Sequence, residues 1–130
     1  MAVFRDTSQL EDTIASLFRA LLDDPEIREK YAGAGVTVKF IFTDPAGEVT
    51  VAPGGVTTGP APTPTADVTM RMAADTAHAF WLGEVTLPRA LARGEITAEG
   101  PVTKVLGLLP LLKPAYRLYP GLARSKGVKF

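Results

Sequence analysis

Between Thr7 and Leu22 the apolar residues fall at Leu10, Ile14, Leu17, Phe18, Leu21 and Leu22. Steps of four, three, one, three and one predict a helix with a single buried face. Its start has two candidate registers: Ser8 with Glu11 as a capping box, or Asp6 with Gln9. It stops near "DDP", because the residue before Pro25 is pushed out of the α region. A short helical turn from Pro25 to Tyr31 follows, closed by "GAG" at Gly33–Gly35. From Val36 to Thr43 the pattern changes to alternation. Val36, Val38, Phe40 and Phe42 share one face, and Thr37, Lys39, Ile41 and Thr43 the other, which predicts a half-buried strand. Asp44–Gly47 carries turn chemistry, and Glu48–Ala52 is expected to pair back as a hairpin.

Pro53 to Ala66 holds four prolines and three glycines and reads as an exposed loop outside the sheet. Alternation resumes at Asp67–Ala73, with Val68, Met70 and Met72 opposite Thr69 and Arg71. Asp75 or Thr76 is expected to cap a helix running to Gly83. Leu87–Arg93 predicts a second helix with Pro88 in its first turn and Gly94 just past its end. Glu95–Glu99 reads as a strand, and Pro101 to about Leu112 as a helix carrying Val102, Val105, Leu106, Leu108, Leu109 and Leu112. Beyond it, Pro114 and Pro120 are expected to break the chain into helical turns and a tail. Phe80, Trp81 and Leu82 are consecutive, so at ~100° per residue they spread over more than half of a helix's circumference. One of them has to face away from the main core. Either that helix is sandwiched between layers, or it lines a ligand pocket, since such pockets are walled mainly by apolar and aromatic side chains.

Composition narrows the function. The 130 residues suit one domain, are 46% hydrophobic and have a mean hydropathy of +0.14, yet no run approaches the ~20 apolar residues of a membrane span. Zero net charge and a pI of about 6.6 leave no electrostatic footprint for nucleic acid. The charge is uneven, however: Pro101 to Phe130 carries six bases (Lys104, Lys113, Arg117, Arg124, Lys126 and Lys129) and no acid. The absence of cysteine excludes disulfides, thiol nucleophiles and thiolate metal sites. No signal peptide or C-terminal organelle address is legible, so the cytoplasm is the expected compartment. The single histidine, His78, has only Asp75 nearby in sequence as an orienting acid, and Asp75 reads as a cap. None of the three serines sits in a G-x-S-x-G elbow. Asp23, Asp24 and Glu26 read as a solvated helix end rather than a metal cluster, and the paired glycines adjoin no phosphate loop. No catalytic residue, cofactor or metal site is therefore expected.

The run "ADVTMRMAADTAHAFWLGEVTLPRALARGEITAEGPVTKVLGLLP", Ala66 to Pro110, resembles the C-terminal half of the sterol carrier protein type 2 domain. Its order is strand, helix ending in Gly83, "LPRALARG" with Pro88, Ala90 and Gly94, the strand "EITAEG" and a leucine-rich helix. The first helix and the "VKFIFTDPAGEVTV" hairpin are similar to the family's first half. The resemblance spans about residues 7–112, with 113–130 as a C-terminal extension of one domain. It implies an α+β fold in which about five strands form a mostly antiparallel sheet, covered on one face by helices around a hydrophobic cavity. It also implies non-catalytic binding of a fatty acid, fatty acyl-CoA, sterol or phospholipid. The lining it implies is Phe40, Phe42, Met70, Met72 and Ile96 from strands, Phe80, Trp81, Leu87 and Leu91 from the two short helices, and Val105, Leu106 and Leu109 from the last helix. Arg89, Arg93 or Lys104 would sit near the mouth. Two further readings compete: an accessory subunit or enzyme of lipid or steroid metabolism using His78 or Glu84 as base, and an interaction module that docks a partner or forms a homodimer through its leucine-rich tail. The basic C-terminal segment, with leucines and tyrosines interleaved, is also a candidate for transient contact with anionic membrane.

Overall fold

The structure, a computed structural model, describes residues 2–60 and 66–130. Helix α1 spans Thr7–Leu22 and is capped in the Asp6 register: Asp6 Oδ1 accepts from the Gln9 N–H at 2.8 Å. Ser8 is not the cap, because Glu11 is engaged elsewhere, accepting from the Glu48 N–H at 2.9 Å. Asp24 then caps α2 (Pro25–Ala34), which runs three residues beyond Tyr31 and closes on Gly35 at φ 63°. The sheet comprises β1 (Val38–Thr43), β2 (Gly47–Ala52), β3 (Gly55–Thr58), β4 (Val68–Ala73) and β5 (Ile96–Glu99). Its order is β3-β2-β1-β4-β5, antiparallel throughout except for the central parallel pair β1–β4. This is the α+β, mostly antiparallel architecture expected from the sequence. β1 starts two residues late, because the Thr37 N–H is bound by Asp67 Oδ2 at 2.8 Å.

Strand β3 corrects the expectation of a loop over Pro53–Ala66. Pro53 and Gly54 are confined to the turn, and Ala52 pairs directly with Gly55. The breakers therefore end the strands without interrupting them, and a short edge strand fits between. Residues 61–65 of that expected loop lie outside the described residues.

Helices α3 (Ala74–Trp81) and α4 (Leu87–Ala92) form the broken pair on the inner face. Among the described residues no side chain caps α3; Asp75 instead accepts from the Val3 N–H at 2.9 Å, which ties down the N-terminal segment. Thr86 caps α4. The expected helix over 101–112 is split into α5 (Val102–Leu106) and α6 (Leu109–Ser125), interrupted at Gly107 and Leu108. Contrary to the expected break, α6 runs through both Pro114 and Pro120. Each proline removes one ladder hydrogen bond at a cost of ~3 kcal/mol, and packing offsets it. Ala115, Tyr119 and Ala123, spaced by four, are fully buried, and α6 lies along α1. Two alanines at that contact let the helices approach closely, and tertiary burial of this kind outweighs local propensity.

The core lies between the sheet's inner face (Val38, Phe42, Val49, Val51, Val68, Met70, Met72 and Ile96) and the buried stripe of α1. The outer face carries Thr50, Thr57, Thr69 and Thr97 with the ion pairs Lys39–Glu48 and Arg71–Glu99.

A candidate apolar ligand site

Two apolar voids lie between the sheet and the helices. The larger, about 60 Å³, sits between the end of α1, α2, the β1–β2 side of the sheet and the α5–α6 junction; its walls include Leu22, Ile27, Val38, Leu108 and Leu111. The smaller, about 40 Å³, lies over β1, β4 and β5 under α3 and α4. Phe18, Phe40, Val105 and Leu112 line both, so these four side chains are the partition. The rings of Phe18 and Phe40 stack with centroids 5.3 Å apart, and Phe18 meets Trp81 edge-on at 5.5 Å. Tyr116, near the middle of α6, packs 5.8 Å from both Phe80 and Trp81, fastening α6 to α3.

Among the described residues the lining offers no ionic anchor. Tyr31 borders the larger void, but its hydroxyl donates toward the carbonyls of Val36 and Val51, and burial pushes its pKa well up. His78 lies outside both voids, buried between α3 and α6. Its Nδ1 is 2.7 Å from the Tyr119 hydroxyl, with Phe4 and Phe130 against its ring. Burial lowers the His78 pKa, opposed by the charges of Glu84 and Asp75. No carboxylate hydrogen-bonds to it among the described residues, and no group of His, Asp and Glu there is arranged to hold a metal ion.

This architecture recurs in solved structures. Sterol Carrier Protein 2 from Yarrowia lipolytica in its apo form superposes with a TM-score of 0.68 at 20% identity, over 89% of this chain and 98% of that one. The sterol carrier protein domain 2 of Helicoverpa armigera gives 0.67 at 18% identity over 84% and 89% of the two chains. The chain has the SCP2 fold. A third match, the UbiJ-SCP2 ubiquinone synthesis protein, gives 0.60 at 16% identity over 81% and 89%. No protein-family model and no curated protein matches the sequence, so the likeness is one of fold.

Within this SCP2 fold, most of the twelve side chains singled out from the sequence converge. Phe40, Phe42, Met70, Met72 and Ile96 reach the smaller void from the sheet. Phe80, Trp81, Leu87, Val105 and Leu109 reach it from the helices. Phe80 and Trp81 are both buried, so Leu82 is the member of the aromatic run that turns aside, half-buried. Leu91 and Leu106 line neither void. α4 buries Leu87 and Ala90, three apart, which leaves Leu91 on the flank. Val105 points inward, so Leu106, ~100° further round, does not. Arg89 and Arg93 border a separate open groove with Asp75, Glu84 and Glu95. The sequence reading missed Phe18, Ile14 and Leu112, along with the entire larger void. The α1 stripe was visible, but periodicity marks which residues are inside and cannot distinguish core from cavity wall.

Proposed function

We propose that this chain binds a hydrophobic ligand between its sheet and helices without transforming it, acting as a carrier or presenter of a fatty acid, acyl-CoA, sterol or phospholipid. The observation that carries this reading is the pair of adjoining voids, almost wholly apolar in lining and divided by the side chains of Phe18, Phe40, Val105 and Leu112. The residues proposed to touch ligand are the ten inward-facing ones above, together with Phe18 and Leu112.

As it stands the interior is contracted. A cavity of about 150 Å³ is what holds a benzene molecule, and neither void reaches it. Ligand entry therefore requires the partition to part and the α5–α6 junction to move outward. Burying a ~16-carbon chain yields about 13 kcal/mol gross at ~0.8 kcal/mol per methylene. Association costs of ~4–15 kcal/mol, together with that opening, come off this figure. The net affinity is then moderate, as suits a carrier that must release its cargo.

Native mass spectrometry of gently purified protein, followed by extraction of the bound material, tests the proposal. A co-purifying lipid mass, or saturable uptake of a fluorescent fatty acid, is the expected result. Bare protein that takes up neither the fatty acid nor a sterol probe overturns it. The UbiJ-SCP2 neighbour favours a second reading, an accessory role in lipid biosynthesis; recovery of a biosynthetic intermediate rather than a bulk fatty acid would distinguish the two.

A further inference from the structure

The junction between α5 and α6 borders both voids. Leu108 and Leu111 line the larger, Leu109 the smaller, and Leu112 both. The same segment is where positive charge collects. Lys113, Arg117 and Arg124 are exposed on α6, at offsets of four and eleven that bring them within about 40° of one another around the helix. Lys104 is exposed on α5. None of the four takes part in an ion pair among the described residues, whereas Lys126 is paired with Asp12. Arg124 stacks on the Phe130 ring at 4.4 Å, which leaves its charge in place. The opposite lip of the larger void, formed by Leu22 and Ile27, is flanked by the acids Asp23, Asp24, Glu26 and Glu29. The mouth is thus electrically uneven: α5–α6 carries bases alone, whereas the acids beside the α1–α2 lip are partly offset by Arg28 and by Lys30, which pairs with Glu26 at 2.9 Å.

We propose that the α5–α6 face docks on a bilayer containing anionic phospholipid. The basic stripe would meet the headgroups, and the α1–α2 lip, with its small excess of acids, would be held away from them. Docking in this orientation sets the leucine-lined junction against the membrane, so a ligand passes between bilayer and interior without crossing water. That last step rests on the ligand-binding reading; docking itself does not.

Each basic residue near an anionic surface strengthens adsorption roughly fivefold, so the three α6 bases together supply about a hundredfold. Their attraction fades once the screening length falls to ~3 Å at about 1 M salt. The test is co-sedimentation with phosphatidylcholine vesicles, with and without phosphatidylglycerol. Wild type is expected on the anionic vesicles only, and to be released by high salt. The triple variant Lys113→Gln, Arg117→Gln, Arg124→Gln is expected to bind about a hundredfold more weakly with an unchanged circular dichroism spectrum. A control of equal charge loss, Arg5→Gln, Arg28→Gln, Lys30→Gln, is expected to stay close to wild type. Equal binding to neutral and anionic vesicles, no binding to either, or equal losses in the two triple variants overturns the proposal. Fatty-acid uptake from solution, measured in parallel, reports on the ligand-binding reading separately. If that uptake is absent while charge-dependent docking persists, only the carrier reading fails.

Discussion

Replacing Phe18 by alanine removes the α1 half of the partition and should join the two voids. Phe18 is 6% exposed and contacts the rings of both Phe40 and Trp81. Truncating a buried phenylalanine costs ~3–5 kcal/mol, the lost transfer energy plus that of the space left behind. For a chain of this length, about 4 kcal/mol lowers Tm by roughly 15 °C. Voids of about 60 and 40 Å³ joined through the space of a lost ring reach the scale of ~150 Å³ that admits benzene. Benzene at about a hundred times its Kd then returns ~2.7 kcal/mol to the variant and almost nothing to wild type. Thermal melts followed by circular dichroism, with and without benzene, read both effects. A variant melting within about 3 °C of wild type, or benzene raising both proteins equally, would refute the claim that Phe18 is a dividing wall.

Tyr119→Phe leaves the buried His78 Nδ1 without its partner at 2.7 Å and is expected to lose ~1–3 kcal/mol in urea unfolding; a loss under about 0.5 kcal/mol would mean that water replaces the bond. Because burial lowers the His78 pKa in the fold, the unfolded chain takes up a proton at the ordinary 6.5 while the folded chain resists it. Stability is therefore complete above pH 6.5 and falls as the pH drops below it. His78→Gln should flatten that fall relative to wild type, and identical slopes would exclude His78 as its source. Gly100 sits at φ 104° with no room for a Cβ beside the Asp67 carbonyl oxygen, so Gly100→Ala is expected to destabilise by more than ~2 kcal/mol. A melt unchanged from wild type would show that the Asp67 turn can yield.

Elements whose pattern depends on their own residues were legible. The α1 stripe, the β1–β2 hairpin, β4 and the α3–α4 pair all stand close to where periodicity puts them. Features decided by partners were not. Nothing local tells that Pro114 and Pro120 are tolerated in α6, because the compensation lies in Tyr119 and its flanking alanines against α1. β3 is hidden because the density of breakers belongs to the whole stretch, while pairing needs only Gly55–Thr58 between them. In the site, strand alternation identified Phe40, Phe42, Met70 and Met72 correctly as inward-facing. Helix faces are broader, so periodicity brings in Leu91 and Leu106, and it marks Phe18 as buried without telling that it lines a void.

The parallel pairing of β1 with β4 also bears on how the chain reaches its fold. β1, β2 and β3 form a meander closed by short turns, and β4 meets β5 across α3 and α4. The seam joining these halves sets Val38 against Val68, about thirty residues apart, a span close to that from β4 to β5 and far longer than the β1–β2–β3 turns, so it costs more chain entropy than the meander. The two long closures, β1 on β4 and β4 on β5, are therefore the expected slow steps. The partition draws Phe18 and Phe40 from one side of that seam and Val105 and Leu112 from the other, so the wall between the voids is complete only once the two halves have met.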